Sequence, residues 1–156
     1  MLQDLVQHKW YTNARLLRAI RQKQEATQDR QLRDLLHHTL LANRFRLRLS
    51  QAVPCSFEPD SQAPEALAAI IAQYRETHAE EASGLAPLEE ADLDKTLATP
   101  YISGGGFSMA KALIEVCLRS RGHRAQGASG LRRLGRTPPG PDFITWLRDR
   151  PGVEWP

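Results

Sequence analysis

At 156 residues, with 41% hydrophobic and 25% charged, the chain has the size and balance of one globular domain able to bury a core. No apolar run approaches the roughly 18 residues that span a bilayer, and MLQDLVQHKW lacks a basic start followed by an apolar stretch, so a cytoplasmic protein without a signal peptide or membrane segment is expected. A net charge of +3 weakly favours anionic partners, and Cys55 and Cys117, far apart and without CxxC spacing, read as reduced small residues.

From Leu2 to about Gln22, Leu2, Leu5, Val6, Trp10, Leu16, Leu17 and Ile20 share one broad face with Lys, Arg and Gln elsewhere, which predicts an amphipathic helix with Trp10 as a core aromatic. Gln22 to Asp29 is a polar turn in which Thr27 or Asp29 caps the next helix. That second long helix is expected from about Arg30 to Ala52, with Leu32, Leu35, Leu36, Leu40, Leu41, Phe45 and Leu49 as its buried side. His38 shares the side of Leu35, Ala42 and Phe45 and needs a partner there, whereas His37, about 100° away, is expected at the boundary or surface.

Val53 to Pro64 holds three prolines and reads as a connection. Glu65 to Ala82 predicts a third helix with Leu67, Ile70, Ile71 and Tyr74 inside, Glu76, Glu80 and Glu81 in water, His78 partly exposed and Gly84 as its stop. Leu85 to Pro100 is expected to be a loop with one short turn around Glu89 to Asp94. In Tyr101 to Ser108, three glycines precede a helix capped by Ser108. Backbone amides there could cradle a phosphate, but the spacing matches neither a P-loop nor a dinucleotide fingerprint, and a flexible loop is expected.

Lys111 to Gly135 reads as the last long helix, with Leu113, Val116, Cys117, Leu131 and Leu134 at helical spacing. Arg119 and His123, four residues apart, leave the same side about one turn from each other. Small residues at Ala125, Gly127, Ala128, Ser129 and Gly130 permit a neighbour's close approach. No acidic residue between Glu115 and Asp142 balances Arg119, Arg121, Arg124, Arg132, Arg133 and Arg136. Pro138 to Pro141 breaks the chain, Asp142 caps a short helix ended by Pro151, and Phe143, Ile144 and Trp146 are expected to fold back onto the rest. Four long amphipathic helices and a short one predict an all-α bundle.

Ser120, His123-Arg124-Ala125-Gln126, Leu131-Arg132-Arg133-Leu134-Gly135, Pro138-Pro139 and Asp142-Phe143-Ile144 resemble the last helix and tail of the DinB family of bacterial damage-inducible proteins. That family also includes thiol-dependent transferases and isomerases. His8-Lys9-Trp10, Thr12-Asn13 and His38-Thr39-Leu40-Leu41-Ala42-Asn43 are similar to its first and second helices. The resemblance implies a single DinB-like domain over residues 1–156, an antiparallel four-helix bundle that is often a homodimer. It also implies a divalent transition metal such as nickel or zinc on three histidines, one from the second helix and two spaced i, i+4 in the last.

Only His38 and His123 match those metal ligands, and Arg119 stands at the third position. Arginine stays protonated and has no acceptor lone pair, so the implied metal site is incomplete. His37, His78, Glu115 or Cys117 are conceivable replacements, none at the family position. Three readings stay open: a degenerate metal site of a transferase- or hydrolase-like protein acting on a small anionic or thiol substrate; an anion pocket in which Arg119 orients an acidic substrate; and a structural role for both histidines. Nucleic-acid binding through the basic last helix is a fourth, against which the scatter of its arginines over several faces argues.

Overall fold

The structure of the protein, a computed structural model, describes residues 1–50, 62–97, 106–140 and 142–156, the side chains of 49 and 50 excepted. The readings on Cys55 and most of the proline-rich connection, the Leu49 side chain, Tyr101 to Gly105 and Pro141 lie outside the described residues. In chain order the helices are α1 (Leu2–Arg21), α2 (Gln24–Gln28), α3 (Arg30–Ser50), α4 (Leu67–Leu85), α5 (Met109–Arg133) and α6 (Phe143–Asp149). Among the described residues the fold is all-α apart from an antiparallel pairing of two-residue strands, β1 (Thr96–Leu97) and β2 (Phe107–Ser108). α5 packs against α1 and α3, α3 also against α4, and α1 touches α4 and α6. Among the described residues Leu17, Ile20, Leu32, Leu40, Ile70 and Leu131 are the largest fully buried apolar side chains.

The helix ends are held by side chains and turns that satisfy otherwise orphaned backbone groups. Asp29, rather than Thr27, caps α3: its Oδ1 accepts from the Leu32 N–H at 2.8 Å and its Oδ2 from Arg133 at 2.7 Å, tying the end of α5 to the start of α3. Ser108 caps α5, accepting from the Lys111 N–H at 3.4 Å. The amides of Met109 and Ala110 donate to the carbonyls of Lys95 and Leu93, both at 2.9 Å. The strand pairing that brings those carbonyls to α5 was not expected, because two residues carry no periodicity to read. Gly106 belongs to it: a Cβ there would sit 2.7 Å from the Leu97 carbonyl oxygen, so its smallness serves chain packing. At the far end Gly135, at φ 74, lets Arg136 donate to the Leu131 carbonyl and Gly135 to Arg132, both at 2.9 Å, a Schellman stop that only a glycine adopts without strain.

Three expectations are corrected. α4 runs past Gly84 to Leu85. Ile144 is exposed, and α6 folds back through buried Trp146 and half-buried Phe143, both in ring contact with His8. Most consequentially, Lys9 and Glu81, which the apolar pattern assigns to the solvent side, are buried and paired at 2.5 Å, and the Trp10 Nε1–H donates to the other Glu81 oxygen at 2.5 Å. Trp10 is accordingly half-buried, an amphipathic ring oriented by its polar edge.

The small residues of α5 do let its neighbours in. A Cβ on Gly127 would lie 3.0 Å from Leu16 Cδ2, and one on Gly130 would lie 2.5 Å from Leu32 Cδ2 and 3.2 Å from its Cγ. Leu32 is 2% exposed, so its side chain has little room to retreat. Gly130→Ala is expected to lose about 1–3 kcal/mol to overpacking, outweighing the gain of about 1 kcal/mol in helix propensity. Gly122→Ala, where nothing lies within 4 Å, is expected to keep that gain. Chemical denaturation of the two variants should therefore move in opposite directions.

Candidate functional site

The two adjacent histidines of α3 leave either side of its core stripe, in the opposite sense to expectation. His37 is buried at 7% exposure on the flank of Arg44, whose guanidinium reaches Thr77 at 2.8 Å and Glu76 at 2.6 Å on α4. Burial first, and then Arg44, holds the His37 imidazole below its usual range. His38 is exposed and turned toward α5. The reason is geometric: the core stripe runs through Leu32, Leu36, Leu40 and Leu47, and the step from residue 37 to 38 straddles the helix's outer side.

His38 and His123 do come together. Their rings meet edge to face, centroids 5.1 Å apart and planes at 82°, and bridge α3 and α5. His123 is half-buried, with Nδ1 3.4 Å from Gln126 Oε1. Burial depresses its pKa; the Gln126 contact opposes this, while His38, Arg46 and Arg119 add to the depression. Arg119 is exposed, and its Nε donates to Glu115 Oε1 at 2.7 Å one turn back. Arg46 completes the group: its Nη1 donates to the Ala42 carbonyl at 3.2 Å, and burial, then Arg119, lowers its pKa. Sequence reasoning passed over Arg46, although its position eight residues after His38 leaves it on the α5-facing side of the core stripe.

These residues do not fit the implied three-histidine metal. Among the described residues no group of three His, Cys, Asp or Glu side chains is placed to hold a metal ion. The conceivable replacements are engaged or turned elsewhere. Glu115 holds Arg119, His37 lies on the α4 flank, and His78 packs against Trp10 and Trp155. Cys117 is buried, which pushes its thiol pKa up and keeps it protonated, a poor ligand. Two imidazoles alone fall short of the three protein ligands that zinc sites with an open position use.

The other flank of α5 holds a second polar group. Arg124 Nη1 donates to Asn13 Oδ1 and Ser120 Oγ, both at 3.0 Å, while its Nε is buried without a hydrogen-bond partner. Burial pushes the guanidinium pKa down to about 10, with the Cys117 thiol and Tyr74 phenol opposing. Tyr74, its own pKa raised by burial, donates to the Leu36 carbonyl at 3.0 Å. A cavity of about 10 Å³, the room of a single water, lies among Asn13, Thr39, Tyr74, His123 and Arg124. The signal for Arg124 was present in the spacing: Leu113, Cys117, Ser120, Arg124, Gly127 and Leu131 follow one i, i+3/i+4 stripe, in which Arg124 occupies a core-edge position. No protein-family model matches the chain, and no curated protein matches its sequence.

Proposed function

We propose that the chain is a DinB-like antiparallel four-helix bundle whose metal face has become a binding face for a small anionic ligand. The observation that supports this reading is the charge around the two histidines: Arg46 and Arg119 stand close enough to both depress the His123 imidazole, and Glu115 is the carboxylate paired with Arg119. A divalent cation there would meet two neutral donors and two guanidinium charges. A carboxylate or phosphate would meet forks of donors matched to its oxygens. The Arg119–Glu115 pair is 61% and 48% exposed, and such pairs contribute about 0–1 kcal/mol, so a ligand oxygen can take the place of Glu115 at little cost. In this reading Arg119 orients the anion and His38 and His123 add hydrogen bonds; no reaction is assigned.

The test is equilibrium dialysis of the chain against zinc and nickel, with Arg119→His alongside. The native chain is expected to retain no stoichiometric metal at micromolar concentration. The variant, which supplies a second imidazole four residues before His123, is expected to bind at least about a hundredfold more tightly, in line with a completed three-ligand set. Stoichiometric metal in the native chain that His123→Ala releases would restore the metal-dependent reading. Failure of the variant to gain affinity would remove the resemblance at this face.

A further inference from the structure

We propose that the cleft between α1 and α5, roofed by residues 138–140, is a site for a phosphate monoester. This goes beyond the reading above, because it uses the other flank of α5 and none of His38, His123 or Arg119. The cleft has a volume of about 280 Å³, and four arginines line it: Arg15 from α1 and Arg121, Arg124 and Arg132 from α5. Among the described residues none of these four has a carboxylate within ion-pair distance, whereas Arg18, Arg44, Arg119, Arg133 and Arg150 each do. Among the described residues no carboxylate compensates the positive charge gathered here.

Two of the guanidinium groups are already held. Arg15 Nη1 lies 3.3 Å from both the Tyr11 hydroxyl and the Gly140 carbonyl, which ties the roof to α1. Arg124 is fixed through Nη1 by Asn13 and Ser120, and its buried Nε keeps a donor unused. Arg121 and Arg132 are exposed and free to close on a ligand. Holding part of a site in advance lowers the ordering cost of binding.

The chemistry of the lining selects the ligand class. Four guanidinium groups call for more than one negative charge and for an anion with several acceptor oxygens, which a phosphate monoester dianion supplies and a single carboxylate does not. Leu16, Ala125, Ala128, Pro138 and Pro139 provide an apolar wall for the ester's carbon portion. The roof and the modest volume suit a small ester rather than a strand of nucleic acid.

The experiment is isothermal titration calorimetry of the full chain with phenyl phosphate and with inorganic phosphate at fixed ionic strength. It compares the native chain with Arg121→Gln/Arg132→Gln and with Arg30→Gln. The native chain is expected to bind phenyl phosphate, more tightly than inorganic phosphate because the ring meets the apolar wall. The double exchange is expected to weaken binding about tenfold or more, and Arg30→Gln, at an exposed residue outside both faces, to leave it unchanged. Absence of binding to the native chain, or equal affinity in the double variant, would overturn the proposal. So would binding of a single-stranded oligonucleotide that depends on Arg121 and Arg132 when phenyl phosphate does not bind. If the double variant fails to fold, Arg132→Glu alone carries the test, and native affinity in it would overturn the site. The zinc and nickel dialysis reads only the opposite face, so either reading can fail without the other.

Discussion

Glu81→Gln is expected to destabilise the protein by about 3–5 kcal/mol, a fall in melting temperature of about 6–20 °C for a chain of this size. The exchange hardly changes volume, so the loss is electrostatic. Lys9 is 2% exposed and Glu81 5%, and the carboxylate serves both the Lys9 ammonium and the Trp10 indole N–H, each at 2.5 Å. An amide can accept from one of those donors but turns its own NH₂ toward the other, leaving a buried positive charge without its counterion. Lys9→Met combined with Glu81→Leu is expected to recover most of the loss, because apolar groups of similar volume carry no desolvation penalty. Recovery should stop short of complete, since Trp10 then lacks its acceptor. If Glu81→Gln melts within about 2 °C of the native chain, the pair is hydrated and contributes little to the fold.

Leu131→Ala is expected to cost about 3–5 kcal/mol, the upper part of the range for leucine truncation in a core. Leu131 is fully buried, and it belongs to one cluster with Leu16, Leu17 and Ile20 of α1, Ala26 of α2 and Leu32 and Leu36 of α3. It is also the carbonyl that receives Arg136 in the stop after α5, so its backbone is pinned and cannot follow a collapsing cavity. Leu118→Ala is the comparison on the same helix: Leu118 is 57% exposed, and its truncation is expected to change stability by less than about 0.5 kcal/mol. Parallel urea denaturation of the two variants checks the contrast. Equal losses would mean that α5 is not oriented as described.

The elements that the sequence disclosed are those with long apolar periods or chemically unambiguous ends. α1, α3, α4, α5 and α6 begin at or within two residues of expectation, and Ser108 and Asp142 cap as their side chains predict. What escaped was decided by partners far along the chain. Lys9 and Glu81 are each polar residues beside an apolar stripe, and only their meeting across 72 positions makes them interior. His37 and His38 differ by one step around a helix, so a small error in the direction of the core reverses which is buried. Arg124 sits on the apolar repeat, yet its inward position is sustained by Asn13, 111 residues away. The meeting of His38 and His123 was an expectation drawn from the sequence, and their rings do meet; the cleft lined by Arg15 and Arg132 could not be anticipated, since it depends on how α1 and α5 approach.

The notches at Gly127 and Gly130, each filled by a leucine from a different helix, have a consequence for how this chain can vary in length. They act as teeth that allow α5 one rotational setting. A residue inserted between Arg124 and Gly127 would turn everything beyond it by about 100° and displace it by about 1.5 Å. The glycines would then no longer meet Leu16 and Leu32, and Arg132 would leave the wall that Arg121 and Arg124 share with α1. Insertions and deletions should accumulate outside α5 and stop at its boundaries, since its 25 residues serve as a ruler for two opposite faces at once.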